Sequence, residues 1–326
     1  MKKQVKNILV TGCAGFIGWR VSQMLLQMGY GVIGIDNMND YYDPALKEWR
    51  LNTLKENPCF SFYKLDITDY TGLKDVFLHN PIDAIINLAA RAGVRASVED
   101  PWACLDTNIK GTLNLLECAR EFKIEKFLLA STSSIYGMVE MPFKEENKTD
   151  MPFAPYPATK KSAEVLCHSY HYLYGLDVSI LRYFTVYGPA GRPDMSIFKF
   201  IKNIDAEVPI TVFGDGNQSR DFTYIDDIAD GTIRAIKPMG YEIFNLGSDR
   251  PVRLMDVIRL IEENLGRKAK IETLPMHLAD MPHTWANIEK ARRLLGWRPK
   301  TTIEEGIKNT VRWFLENRKF LEKLKG

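Results

Sequence analysis

Tyr156 and Lys160 stand four residues apart in Pro155-Tyr156-Pro157-Ala158-Thr159-Lys160. If the segment is helical, that spacing puts both side chains on one face, and Pro157 is tolerated in the first turn. A free tyrosine titrates at about 10 and is a poor base at neutral pH. A cation one turn away lowers that value. The phenolate can then take a proton from a substrate hydroxyl while hydride leaves the same carbon. Ser131-Thr132-Ser133-Ser134 supplies hydroxyls that could share the proton. Each feature has a plainer explanation. A Tyr and Lys at this spacing can begin any surface helix, and Ser and Thr commonly make turns. Position in the fold decides between the two.

Hydride chemistry needs an acceptor, and the first residues provide a place for one. Thr11-Gly12-Cys13-Ala14-Gly15-Phe16-Ile17-Gly18 has glycines at G-x-x-G-x-x-G spacing, after an apolar run and before an amphipathic one. Glycine is needed where a side chain would keep a pyrophosphate from the backbone or a helix from its sheet. The helix start then offers free N–H groups and a positive dipole end to the phosphates. Asp36, 18 residues after Gly18, ends the next apolar run. A carboxylate there accepts hydrogen bonds from the adenosine ribose and repels a 2′-phosphate, so NAD is the expected cofactor. Its oxidised ring would add a second positive charge beside Tyr156.

These residues are positioned by an alternating pattern. Strands are expected at 7–11, 31–36, 60–66, 84–88, 126–131 and 177–183. Between the first two, Ile17, Val21, Met24, Leu25 and Met28 recur at helical spacing, with Gly29 where a C-terminal cap belongs. A second helix, at 102–122, carries Leu105, Ile109, Leu113, Leu116 and Ala119 on one face. Near-continuous apolar strands separated by helices indicate a Rossmann-type, doubly wound parallel sheet of the α/β class. At Gly188-Pro189-Ala190-Gly191-Arg192-Pro193 the rhythm changes. The expected division is a cofactor domain over 1–187, with 222–246 returning to it, and a smaller mixed α/β substrate domain over the rest of 188–326. Helix 225–236 and strand 242–246 are the returning pieces.

Composition sets the limits. The 326 residues are 45% hydrophobic and 26% charged with a net charge of +2, too balanced for a nucleic-acid or anionic-membrane binder. The five cysteines are scattered, without a metal-binding spacing. Reduced thiols in a cytoplasmic protein are expected, with no metal site. Residues 1–7 are too short and polar for a leader peptide, and no apolar run approaches the roughly 20 residues of a membrane span.

Taken together, the motifs resemble the extended short-chain dehydrogenase/reductase family over nearly the whole chain. The glycine loop, Asp66, Leu88-Ala89-Ala90, the Tyr156/Lys160 pair and Ser219-Arg220-Asp221-Phe222 match the family at large. The stretch from Asp36-Asn37-Met38-Asn39 to Tyr41-Tyr42-Asp43, Ala92-Gly93-Val94-Arg95, and Phe184-Thr185-Val186-Tyr187-Gly188-Pro189 through Met195 are similar to its UDP-uronate epimerases.

The resemblance implies tightly bound NAD+ in contact with Gly12, Ala14, Gly15, Phe16, Ile17, Gly18, Asp36, Asn37, Asn39, Asp66, Ile67, Leu88, Ala89, Ala90, Tyr156, Lys160, Tyr183 and Val186. Thr132 would assist Tyr156. Thr132, Ser133 and Thr185 would hold a sugar carboxylate, and Arg192 and Arg220 would neutralise a diphosphate. Arg95 and Thr211 would help bind the UDP-sugar, Phe213 would lie against uracil, and Asp280 would hold the ribose. The implied reaction is C4 epimerisation of UDP-glucuronate to UDP-galacturonate. The implied assembly is a homodimer built on helices 102–122 and 156–174, the latter offering Val165, Leu166, Tyr170, Leu173 and Tyr174. Decarboxylation of the same substrate, which shares the first step, and C4 epimerisation of another UDP-sugar are the alternative readings. A 4,6-dehydratase fits less well, since Ser133-Ser134 replace the Asp-Glu pair it needs. Intact Tyr156, Lys160 and Thr132 argue against a silent NAD-binding module. Three departures from the family pattern stand out: Arg91 for the usual glutamine, His277-Leu278-Ala279-Asp280 for Gln-Pro-Gly-Asp, and a bulky Trp19 after the glycine loop.

Overall fold

The computed structural model describes residues 6–324. The reading of the N-terminus as lacking a leader falls largely on residues 1–5, outside the described residues. Seven strands form one sheet in the order Tyr241–Leu246, Asp177–Tyr183, Lys126–Thr132, Ala84–Asn87, Asn7–Thr11, Gly31–Asp36 and Phe60–Lys64. All neighbours run parallel. Successive side chains of a strand point to opposite faces, and here both faces are buried. Ile8, Val10, Ile86 and Leu128 enter one core, and Leu9, Ile85, Phe127 and Leu129 enter the other. That is why these strands read as unbroken apolar runs. The order reverses between Asn7–Thr11 and Ala84–Asn87, and the crevice outside the carboxyl ends of strands at such a point is where ligands bind.

Helix Phe16–Gln27 follows the glycine loop, and Gly29 takes a left-handed φ of +84° just beyond it. Trp19, unexplained in the sequence, is buried in this helix. Its indole N–H donates to Thr53 Oγ1 at 2.8 Å, and its ring lies 5.8 Å from that of Trp49, which meets Trp313 edge-on. The bulky side chain thus braces the cofactor helix against Pro44–Lys55 and the C-terminal helix Ile303–Glu316.

The single helix expected over 102–122 is broken. Pro101–Cys104 is followed by a π-helical turn at Leu105–Lys110 and then by Gly111–Glu121. A π turn takes up an extra residue, so the apolar stripe changes face. Leu105 and Leu113 are exposed, whereas Leu116 and Ala119 are in the core.

A third core lies outside the sheet. It joins Ser196–Asp205, Leu254–Leu265 and Ile303–Glu316 through Phe198, Ile201, Val257, Ile261, Val311 and Phe314. Strands Ile210–Phe213 and Ile271–Leu274 pair beside it. Of the stretch 222–246, Tyr241–Leu246 is the outer strand of the large sheet and Ile225–Arg234 packs on Phe16–Gln27. Ser219–Tyr224 instead joins a small sheet with Thr185–Tyr187 and Pro251–Arg253. Among the described residues, no helix is long and apolar enough to cross a membrane, and no cluster of side chains could hold a metal.

Candidate active site

Helix Pro155–Tyr174 starts with prolines in its first turn, and the Tyr156 N–H donates to Ser97 Oγ at 3.0 Å. Tyr156 and Lys160 both line a cleft of about 380 Å³ at the carboxyl edge of the sheet, together with Thr132, Ser133, Thr185 and Arg192. The Thr132 hydroxyl accepts the Ser134 N–H at 3.2 Å and is hydrogen-bonded to the Tyr156 phenol. With its oxygen so engaged, its proton is free to be donated to a phenolate, which stabilises the charged form.

Burial nonetheless pushes the Tyr156 phenol up, and the Thr132 hydrogen bond and the Arg192 cation pull against it. This corrects the simplest form of the expectation. In the protein alone, Lys160 does not make Tyr156 acidic. The ammonium is itself buried, donates to the Ala130 carbonyl at 2.8 Å, and is pushed down to about 8 by desolvation. An additional positive charge in the cleft would lower the phenol and, by like-charge repulsion, depress Lys160 further.

The residues present fit a dinucleotide. Gly12 has φ +68°, and a Cβ on it would sit 2.9 Å from the Ala89 nitrogen. A Cβ on Gly18 would come within 2.1 Å of the Gly12 carbonyl. These glycines therefore let loop, sheet and helix close up around a backbone cradle. Every residue expected to touch the cofactor lines this cleft except Ala14, whose N–H donates to Asp36 Oδ2 at 3.2 Å. Ala14 thus shapes the loop and orients the acid. Asp36 Oδ1 accepts the Met38 N–H at 2.9 Å, leaving lone pairs for ribose hydroxyls. Asp66 accepts from Asn37 Nδ2 at 2.6 Å and from Thr68, which together hold its carboxyl below the usual range.

The residues expected at the nucleotide end of a sugar substrate form a separate group. Arg95, Thr211, Phe213, Arg220 and Asp280 do not line the cleft. The Arg95 guanidinium lies 3.7 Å over the Phe213 ring and forms an ion pair with Asp280, its Nε 3.3 Å from Oδ1. Arg220 donates to the carbonyls of Ser219 and Pro282 at 3.0 and 2.9 Å. The departing sequence His277-Leu278-Ala279-Asp280 keeps a turn, with Asp280 N–H on the His277 carbonyl at 2.9 Å and Ala279 N–H on its ring at 3.1 Å.

Sequence reasoning missed several residues that build the cleft. Arg50 is fully buried and donates to the carbonyls of Ala14, Ala190 and Gly191 and to Tyr42 OH. It ties the cofactor loop to the turn that carries Arg192. Lys47 Nζ lies 3.8 Å from Asp36 and 2.8 Å from Asn39 Oδ1, and burial lowers its pKa. Its charge offsets part of the repulsion that Asp36 alone would exert on a 2′-phosphate. Asn108, in the π turn, holds the backbone of Arg91 on both sides and also Thr159 Oγ1. Arg50 and Lys47 looked like the polar face of a helix, and only the break in the 102–122 pattern could have drawn attention to Asn108.

Residues 8–247 match the model of the NAD dependent epimerase/dehydratase family. The chain is 58% identical to a UDP-glucuronate 4-epimerase of Thermodesulfobacterium geofontis, over 97% of this chain and 98% of that one. Its structure superimposes with a TM-score of 0.91 and 38% identity on a Bacillus cereus UDP-glucuronic acid 4-epimerase in complex with UDP-glucuronic acid and NAD, covering 95% of this chain and 99% of that one. A UDP-glucose 4-epimerase of Thermotoga maritima with UDP-glucose superimposes at 0.88 with 32% identity, covering 97% and 99%. The fold is therefore common to relatives named for a uronate and for a neutral sugar.

Proposed function

The chain belongs to the NAD-dependent epimerase/dehydratase family, and on that footing we propose that it interconverts UDP-glucuronate and UDP-galacturonate by reversible oxidation at C4. The observation that carries this reading is one cleft lined by both the Tyr156/Lys160 pair and the hydroxyls of Thr132, Ser133 and Thr185. When bound, NAD supplies the acceptor and later the donor of the C4 hydride. Tyr156, as the phenolate that Thr132 stabilises, takes the C4 hydroxyl proton and, as the phenol so formed, later returns it. Lys160, fixed on the Ala130 carbonyl, would hold the nicotinamide ribose and, when charged, favour the phenolate.

The 4-keto sugar is a β-keto acid and would readily lose carbon dioxide if its carboxylate bond aligned with the ketone π system. Hydrogen bonds from Thr132, Ser133 and Thr185 fix the carboxylate out of that alignment while the ring turns. Arg192, oriented by Asp194 and the Ala92 carbonyl, takes the diphosphate with Arg220. Arg95, Thr211, Phe213 and Asp280 take the uridine. The cofactor domain is the large sheet with its helices, to which 225–246 returns, and the remainder binds the UDP-sugar. Free cysteines favour a cytoplasmic setting.

A homodimer completes the proposal. Val98, Trp102, Leu105, Val165, Tyr172 and Leu173 lie exposed on adjacent helices, Trp102 at 73% and Leu173 at 63%, an apolar face suited to its own copy. Light scattering should give twice the chain mass, and L173E should halve it.

NMR of the products from UDP-glucuronate, without added NAD, tests the reaction and cofactor retention together. UDP-galacturonate is expected. A UDP-4-keto-pentose as main product would replace this reading with decarboxylation.

A further inference from the structure

We propose that Arg91 is a diphosphate-binding residue of the cleft, an inference that rests on reading the cleft as a site for NAD and a nucleotide sugar. Its place is built from three sides. The Arg91 N–H donates to Asn108 Oδ1 at 3.0 Å, and its carbonyl accepts from Asn108 Nδ2 at 3.2 Å. The guanidinium lies 3.7 Å over the centre of the Tyr41 ring. Tyr41 is itself held by its hydroxyl, which donates to the Ala92 carbonyl at 2.8 Å. Backbone and head group are therefore both fixed, and the side chain lines the cleft.

The charges around it separate Arg91 from its neighbours. Arg192, whose guanidinium is 5.2 Å from the same ring, is paired with Asp194. Lys47 is paired with Asp36, and Arg50 is engaged by carbonyls. Among the described residues Arg91 has no carboxylate partner; its guanidinium is met only by the face of an aromatic ring. A half-buried cation so placed carries a desolvation cost that an arriving anion relieves. Stacking covers the flat face of a guanidinium and leaves its N–H edge available, the edge that grips phosphate oxygens in pairs. The dianions this cleft would receive are the two diphosphates, of the cofactor and of the UDP-sugar. A glutamine at this position could donate a hydrogen bond but could not neutralise either one.

The test uses the full-length protein and its R91Q, R91A and R91K variants. NAD binding to cofactor-stripped protein and UDP binding to the NAD-bound protein are measured by calorimetry, each at two salt concentrations, alongside KM for UDP-glucuronate. For R91Q and R91A, the dissociation constant of NAD or of UDP is expected to rise about tenfold. R91K should lose less, and in R91Q and R91A the salt dependence should be shallower than in the parent protein. A rise confined to NAD identifies the cofactor's diphosphate, and one confined to UDP and KM identifies the sugar nucleotide's. Unchanged NAD and UDP binding in both R91Q and R91A overturns the proposal. Because both binding arms are read without turnover, failure of the parent protein to convert UDP-glucuronate would count against the proposed reaction and leave the assignment of Arg91 separately decided.

Discussion

The two ends of the site are built differently. At the sheet edge, Thr132, Tyr156, Lys160 and the glycine loop converge on one open cleft, each anchored by backbone or buried hydrogen bonds. Beyond it, Arg95, Phe213 and Asp280 are closed on one another. The first end is preorganised by strands and by a 20-residue helix. The second is assembled from a loop, a short strand and a turn, whose polar groups satisfy each other. Under the proposed function, a uridine entering there would displace the Arg95 guanidinium from Phe213 and compete for Asp280. Binding at that end is therefore an exchange of partners, whereas chemistry at the other needs little rearrangement.

This contrast predicts that substitutions of the acid–base residues proposed at the cleft act on turnover and those at the far end on affinity. Y156F should lower kcat by roughly 10²- to 10⁴-fold with UDP binding retained; steady-state kinetics with UDP-glucuronate would read it, and near-normal turnover would remove the proposed base. R50A strips the bonds from three buried carbonyls. It should cost about 2–4 kcal/mol of stability, visible as a lowered denaturation midpoint, along with weaker retention of NAD. F213A should raise KM several-fold, about 1 kcal/mol for the lost ring, with little change in kcat. A fall in kcat comparable to that of Y156F would erase the distinction between the two ends.

The smallest effect expected is in pH dependence. The Thr132 hydrogen bond lowers the Tyr156 pKa against the upward push of burial. T132V removes the lowering contribution, so the phenolate forms at higher pH. The acid limb of the kcat/KM profile should then move to higher pH, and a shift the other way would show that Thr132 favours the neutral phenol. Stability has its own dependence. Lys160 titrates at about 8 in the folded chain, against about 10.4 when unfolded. The unfolded chain therefore holds the extra proton between those values, and this residue's contribution to stability rises with pH across that window.

Much of this was legible in the sequence because it is local. The glycine loop, Asp36 and the Tyr-x-x-x-Lys spacing each occupy a single strand, turn or helix start, where residue type and spacing fix geometry. The inner strands of the large sheet were legible because both faces are buried, and the expected limits of the sheet's strands differ from the observed ones by at most two residues at the carboxyl ends. The helix over 102–122 was misread because a π turn changes which residues share a face, and the apolar pattern does not reveal it. Arg50 and Lys47 were overlooked because their partners lie elsewhere in the chain or on a neighbouring loop. Spacing along the Pro44–Lys55 helix shows only that they are polar.

By itself, the sequence determined the doubly wound architecture, the glycine cradle and the placing of Tyr156 and Lys160 one turn apart at a helix start, since short-range sterics and periodic burial set all three. Tertiary structure decided the rest: that burial rather than Lys160 dominates the Tyr156 phenol, that Arg95 covers Phe213, and that Arg91 meets an aromatic face and, among the described residues, no carboxylate. Those properties depend on desolvation and on which charges meet across distant segments, quantities that exist only once the chain has closed around the cleft.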